Sequence, residues 1–198
     1  MFGGNFFVAS ISAYNIASWN GSSWNILGAS SSNNGVGGSV YALAMNGSNQ
    51  LFVGGQFTSI NGSISTNNIA SWDGNSWSIL GTSSTNNGVN GQVNALAMNG
   101  TNQLFVGGNF TSVDELSIPT NYIASWNGTS WNIFGSNSAN NGFNNIVLSL
   151  ALNGTDLLYA GGQFTSTFEY SCSPYITLFG KKKSHNLIEL IFYYSNCR

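Results

Sequence analysis

The sequence predicts an all-β repeat protein, and three observations carry that reading. One phrase recurs at a fixed beat: Asn15-Ile-Ala-Ser-Trp-Asn-Gly-Ser-Ser-Trp24, Asn68-Ile-Ala-Ser-Trp-Asp-Gly-Asn-Ser-Trp77 and Tyr122-Ile-Ala-Ser-Trp-Asn-Gly-Thr-Ser-Trp131, starting 68 − 15 = 53 and 122 − 68 = 54 residues apart. A second phrase keeps time with it: Leu51-Phe-Val-Gly-Gly-Gln-Phe-Thr-Ser59, Leu104-Phe-Val-Gly-Gly-Asn-Phe-Thr-Ser112 and Leu158-Tyr-Ala-Gly-Gly-Gln-Phe-Thr-Ser166. Short apolar runs bounded by Asn-Gly pairs fill each period, and no segment has the apolar spacing of a helix. A period of this length marks like units stacked in a row.

The elements can be read in order from the unit Gln92 to Gly142. Val93-Asn-Ala-Leu-Ala-Met98 reads as a strand, and Asn99-Gly100 turns the chain into a tight hairpin. Gln103-Leu-Phe-Val106 is the second strand, stopping at Gly107-Gly108, where the missing Cβ permits a bend or a close backbone approach. After a polar loop, Tyr122-Ile-Ala-Ser-Trp126 is the third strand, and Asn127-Gly128 turns it into the fourth, Trp131-Asn-Ile-Phe134. Four short antiparallel strands per unit fit one blade of a β-propeller better than one coil of a β-solenoid, whose coils are shorter. The expected blades are 1–28 (partial), 40–81, 93–135 and 146–180 (degraded), followed by an irregular tail or closing strand at 181–198. That makes about three to four blades, a partial propeller. The chain is expected to start mid-blade, because Met1-Phe-Gly-Gly-Asn-Phe6 matches Val53-Gly-Gly-Gln-Phe57. Tyr175–Phe179 stands in register with Tyr122–Trp126, and Leu187–Tyr194 is the candidate strand to close a small ring.

All six tryptophans, Trp19, Trp24, Trp72, Trp77, Trp126 and Trp131, occupy two equivalent places per unit, flanking a four-residue turn. They are expected to be cross-strand neighbours that pack between units, along with the pairs Gly54-Gly55, Gly107-Gly108 and Gly161-Gly162 as the structural core of the repeat. A buried indole removes about 150–250 Å² from water, roughly 4–6 kcal/mol as an upper estimate.

Charge excludes one large class of function. Lys181, Lys182, Lys183 and Arg198 are the only basic residues besides His185, so the repeats offer nothing to neutralise a phosphate backbone. No apolar run approaches the roughly 20 residues of a membrane-crossing helix, and the first residues lack the pattern of a signal peptide. Cys172 and Cys197 lie outside the repeats, and their redox state is open.

A strand ending in Gly-Gly, then an aliphatic strand, then a Trp-led strand resembles the kelch-type, galactose-oxidase-like propeller repeat. The spelling Leu104-Phe-Val-Gly-Gly-Asn-Phe-Thr-Ser112 followed by Ile-Ala-Ser-Trp-Asn-Gly is more similar to arrays of the fungal cortical cell-polarity marker family, with similar repeats in bacterial surface proteins and large DNA viruses. The resemblance spans residues 2–180 and implies a binding scaffold that is extracellular, on a cell surface or associated with a virion. The copper site of the galactose-oxidase type would need His and Tyr ligands with a Cys–Tyr pair, a set this chain does not offer.

The chemistry is otherwise sparse. His185 is the only histidine, which excludes a His-based triad with a second histidine or a multi-histidine metal site within the repeats. Asp114-Glu115 reads as a solvated turn, since acids that cleave a glycosidic bond must flank it from opposite sides. Neither a catalytic set, a metal nor a cofactor is expected. The loops carrying Asn33-Asn34, Asn86-Asn87 and Asn140-Asn141 recur once per unit, and a ring of their amides is the candidate surface for a glycan or protein partner; the plainer reading is that Asn-Gly makes these turns. The expected function is a non-catalytic propeller module binding a protein or glycan, with self-association through open blade edges. The alternatives are a fragment of a carbohydrate-active or oxidase-type propeller enzyme, or a truncated remnant.

Overall fold

A computed structural model describes residues 11–82, 87–100, 103–114, 118–135, 141–154, 157–167, 177–184 and 187–193. Among these residues every regular element is a strand, and all named pairings are antiparallel. The fold is all-β, built of several sheets, none of which closes on itself.

The repeat period becomes a sheet period. The third unit forms a four-stranded sheet from Gln92–Asn99, Gln103–Asn109, Ile123–Trp126 and Trp131–Ile133, in chain order across the sheet. The second repeats it with Val36–Met45, Leu51–Ile60, Ile69–Trp72 and Trp77–Ile79. The first unit contributes a hairpin of Ala17–Trp19 and Trp24–Ile26, and residues 1–10 lie outside the described part. The strand reading of Gln92 to Gly142 matches these bounds with one correction. The second strand does not stop at Gly-Gly but runs through it, to Asn109 in one sheet and Ile60 in the other.

The two glycines of each pair serve different contacts. Opposite each pair the first strand carries a bulge, between Val40 and Ala42, Val93 and Ala95, or Val147 and Ser149. This extra residue bends the strand toward its partner. A Cβ on the second glycine, Gly55, Gly108 or Gly162, would strike the carbonyl of Ser39, Gln92 or Ile146 across that bulge. The first glycine faces the next sheet instead. A Cβ on Gly54 would overlap Val93, and one on Gly107 would overlap Val147.

The sheets therefore stack face to face. The strands Val36–Met45 and Leu51–Ile60 pack on Gln92–Asn99, which with Gln103–Asn109 packs on Val147–Asn153. Alternating residues of one strand feed two different seams. Val53 joins the cluster with Ile16, Leu27 and Trp77, while Phe52 joins the next one with Val93, Val106 and Trp126. Phe105 in turn enters a third cluster with Phe143, Val147 and Leu158. A sheet covered on both faces needs apolar residues at successive positions, which is why the second and third strands read as continuous apolar runs.

The last sheet departs from the expected order. It is formed by Val147–Asn153, Leu157–Gly162, Leu187–Tyr193 and Thr177–Ser184, in that spatial order. Spacing assigns the third place to Tyr175–Phe179, yet Leu157–Ala160 pairs with Leu190–Tyr193. Leu187-Ile-Glu-Leu-Ile-Phe-Tyr193 is rich in β-formers, whereas the Lys181–Lys183 run suits a sheet edge. Leu187–Tyr193 thus completes the last sheet; among the described residues it makes no pairing with the first unit.

The tryptophan pairs face each other in the expected register. Trp19–Trp24, Trp72–Trp77 and Trp126–Trp131 are cross-strand partners with ring centroids 5.5, 5.4 and 5.4 Å apart. Their burial corrects the expectation that all six are core. Trp77 and Trp126 are buried and Trp72 and Trp131 half-buried, but Trp19 and Trp24 are 53% and 57% exposed. The reason is a bond between units. Trp77 Nε1 donates to Leu27 O at 2.7 Å and Trp131 Nε1 to Leu80 O at 3.1 Å, each reaching back one period. Trp24 has no such acceptor behind it among the described residues. Removing the Trp77 ring creates a cavity and strands the Leu27 carbonyl; Trp77→Ala is expected to cost about 3–5 kcal/mol in urea denaturation, whereas Trp24→Ala stays within about 1 kcal/mol.

Candidate functional site

The recurring Asn-Asn-Gly loop was the candidate surface, and the structure divides its residues. Asn34, Asn87 and Asn141 are buried, Asn33 is exposed, and Asn86 and Asn140 lie outside the described residues. Asn34 is turned into the protein. Its Nδ2 donates to the carbonyls of Ser12, Ser30 and Ser31 at 3.1, 2.9 and 3.2 Å, and its Oδ1 accepts from Tyr14 N at 3.0 Å. Asn87 Oδ1 accepts from Asn67 N at 3.2 Å, and Asn141 Nδ2 donates to Pro119 O at 2.6 Å. These amides bracket one loop to the loop before it. For Asn34, Asn87 and Asn141 the expected ring of displayed amides is corrected to a set of internal clasps, while Asn33 remains exposed.

The glycine that follows explains the geometry. Gly35, Gly88 and Gly142 have φ of 63°, 71° and 63°, and a Cβ on each would strike the carbonyl of Tyr14, Asn67 or Asn121. Only a residue without a Cβ lets these two backbone segments touch. The amide of the same glycine donates to Leu27 O, Leu80 O or Phe134 O at 2.8 Å. Leu27 O and Leu80 O therefore each accept twice, from this loop and from the indole of the next unit. Loop and seam share an atom.

Other clasps carried no obvious signal in the sequence. Asn15 and Asn68 take φ of 61° and 63° and donate through Nδ2 to Val36 O and Val89 O at 2.8 and 2.9 Å. Tyr122 holds the equivalent place at φ 67° without an amide to offer. Asn90 Oδ1 accepts from Thr111 N and Ser112 N at 2.8 and 3.0 Å, and Asn144 does the same for Thr165 N and Ser166 N at 2.9 and 3.0 Å. Asn90 Nδ2 and Asn144 Nδ2 also donate to Thr111 Oγ1 and Thr165 Oγ1 at 3.0 and 2.9 Å, which gives the Thr of the phrase a partner in these two units. Their one sequence signal is the 53–54-residue recurrence of Asn itself.

The turn between paired tryptophans is closed by an acceptor side chain. Asn20 Oδ1 accepts from Ser22 N and Ser23 N at 2.9 and 2.8 Å, and Asn127 Oδ1 from Thr129 N and Ser130 N at 3.0 and 2.8 Å. Asp73 substitutes a carboxylate at this position, accepting from Asn75 N and Ser76 N at 2.8 and 2.7 Å. The Ser76 amide, then the Asn75 amide, stabilise its charged form and lower its pKa below the ordinary 3.8.

Asp114 lies in the turn after Ser112–Val113 with φ 47°, its amide donating to Gly88 O at 2.9 Å; Glu115 lies outside the described residues. Among the described residues no three His, Cys, Asp or Glu side chains gather as a metal site, and no helix is long and apolar enough to cross a membrane. What stands out is an apolar end. Of the nine large apolar side chains exposed among the described residues, seven lie between Ile11 and Met45, among them Tyr14, Trp19, Trp24, Tyr41, Leu43 and Met45. No family model, curated protein or solved structure matches the chain.

Two outcomes follow from the clasps. Asn87→Ala removes a buried bracket and is expected to lower stability by about 1–3 kcal/mol in urea titration, while Asn33→Ala changes it by less than about 0.5 kcal/mol. Because the folded pKa of Asp73 lies below its unfolded one, its contribution is present above the unfolded value and is lost as pH falls through the folded value. Below about pH 4 the melting-point difference between wild type and Asp73→Asn is therefore expected to shift in the variant's favour, because Asn cannot be protonated there and loses nothing at this position.

Proposed function

We propose that the chain is a non-catalytic binding module of the propeller type, taking up a protein partner at its apolar end, at a surface or in a particle. The observation that carries this reading is the concentration of exposed aromatic and aliphatic side chains between Ile11 and Met45. Aromatic residues and Met are enriched in protein interfaces, and they lose water at little entropic cost because the sheet already holds them. The stacking of antiparallel sheets built by successive units supports the propeller-type reading.

One observation favours a glycan instead: the Trp19–Trp24 pair, both rings exposed and 5.5 Å apart, forms an aromatic platform. Sugar rings present apolar faces that such indoles can cover. A photo-crosslinking residue at position 43, with position 75 in the distant exposed Trp72–Trp77 turn as control, separates the two. The protein reading expects discrete protein adducts from position 43 alone. Retention on an oligosaccharide array that Trp19→Ala/Trp24→Ala abolishes, with no adducts at position 43, would replace it with the glycan reading.

A further inference from the structure

The seam between sheets is made twice inside the chain from the same parts. On one side stands a first strand presenting Val93, Leu96 and Met98, and in the next sheet Val147, Leu150 and Leu152. On the other side stands a glycine seat. Val93 and Leu96 fill the space in front of Gly54, and Val147 and Leu150 fill that in front of Gly107. Phe52 and Ala44 line the first seat, and Phe105 and Ala97 the second.

Among the described residues, each end of the array carries one half of this seam without its counterpart. The second unit's first strand holds Val40, Leu43 and Met45 at the places of Val93, Leu96 and Met98; Leu43 and Met45 are both 54% exposed, while Leu96 and Met98 are packed. In the last sheet Tyr159, Gly161 and Ala151 occupy the places of Phe105, Gly107 and Ala97. There a Cβ on Gly161 would meet only Ser149 Oγ among the described atoms, Tyr159 and Gly161 are half-buried, and Ala151 is exposed. The filled counterparts Phe105 and Gly107 are buried. Among the described residues Leu43 and Met45 therefore meet no seat at one end, while Val40 already packs in part against the cluster of Ile16, Leu27 and Trp77, and the seat of Gly161 meets no knobs at the other end.

We propose that the chain binds a second copy of itself head to tail, the Val40-Leu43-Met45 strand of one copy seating on the Tyr159–Gly161 strand and Ala151 of the next. This rests on the reading that the apolar end takes up a protein, and names that protein. The occupant is argued from continuity: the contact would continue the two internal seams with the same residue types at the same spacing. The seam joins two different surfaces, so the association is heterologous and extends to a ring or a filament. With a net charge of −2 on 198 residues, little repulsion opposes it.

Analytical ultracentrifugation of the full chain over a concentration series tests this. The wild type is expected to sediment above its monomer mass of 21.0 kDa. Leu43→Asp blocks the knobs and Ala151→Arg blocks the seat; both positions are exposed, so each variant should melt with the wild type at a concentration low enough to leave the wild type monomeric. Each variant alone is expected to lose association by more than about tenfold. Mixed in equal amounts they should form a two-chain species that grows no further, because one intact knob strand then meets one intact seat. A wild type that stays monomeric at all concentrations overturns the proposal, as does association that survives either substitution. So does a Leu43→Asp chain that melts lower than wild type at a concentration where both are monomeric, since the chain's own residues would then cover Leu43. A monomeric wild type that still forms adducts with a different protein from position 43 overturns self-association alone and leaves the binding reading standing. Adducts from neither position would remove both.

Discussion

The stacking of the second, third and last sheets depends on the contact between a first-strand valine and the glycine of the sheet before it. Val93 lies against Gly54 and Val147 against Gly107, at separations no side chain on the glycine would allow. The approach places Phe52 and Phe105 inside seams, and across the first of these the indole of Trp131 reaches the Leu80 carbonyl. Close packing of this kind is sensitive to a single methylene, so the glycine is fixed by its neighbour rather than by its own backbone. Neither Gly54 nor Gly107 has a positive φ.

The polar residues solve a second problem created by the first. Sheets stacked on both faces leave their connecting loops crowded at the ends, with backbone donors and acceptors out of reach of a ladder. With few charges available, the chain meets those groups with asparagine. Asn34, Asn87 and Asn141 bracket loop to loop, Asn90 and Asn144 hold the Thr-Ser ends, and Asn20 and Asn127 close the hairpins. A neutral amide supplies both donor and acceptor without the cost of burying an ion. The asparagine richness that looks like a binding surface is, for the buried members, the interior's own hydrogen-bond supply.

The same logic explains which parts of the chain remain unsatisfied. Trp19 and Trp24 repeat the spelling and register of Trp126 and Trp131, yet they stand in water because no described unit supplies the face that covers them. Leu43 and Met45 repeat Leu96 and Met98 and are exposed for the same reason. Identical residues are core in one unit and surface in another. Their character depends on the neighbour.

Much of the fold was legible before any coordinate. Period, strand number per unit, the tight turns and the tryptophan register followed from local spacing, because a strand and its hairpin partner lie within a few residues of each other in the chain. The candidate site was far less so: sequence spacing found the loop positions but assigned Asn34, Asn87 and Asn141 the wrong direction, since whether Asn34 faces solvent depends on Tyr14 and Ser12 approaching from another loop. The last sheet went the same way, its third place taken by Leu187–Tyr193 rather than by the stretch in register. By itself, then, the sequence determined the repeating sheet and the residues that can build it. Tertiary structure decided which copies of those residues are covered, because burial depends on contacts a full period away that local spacing does not contain.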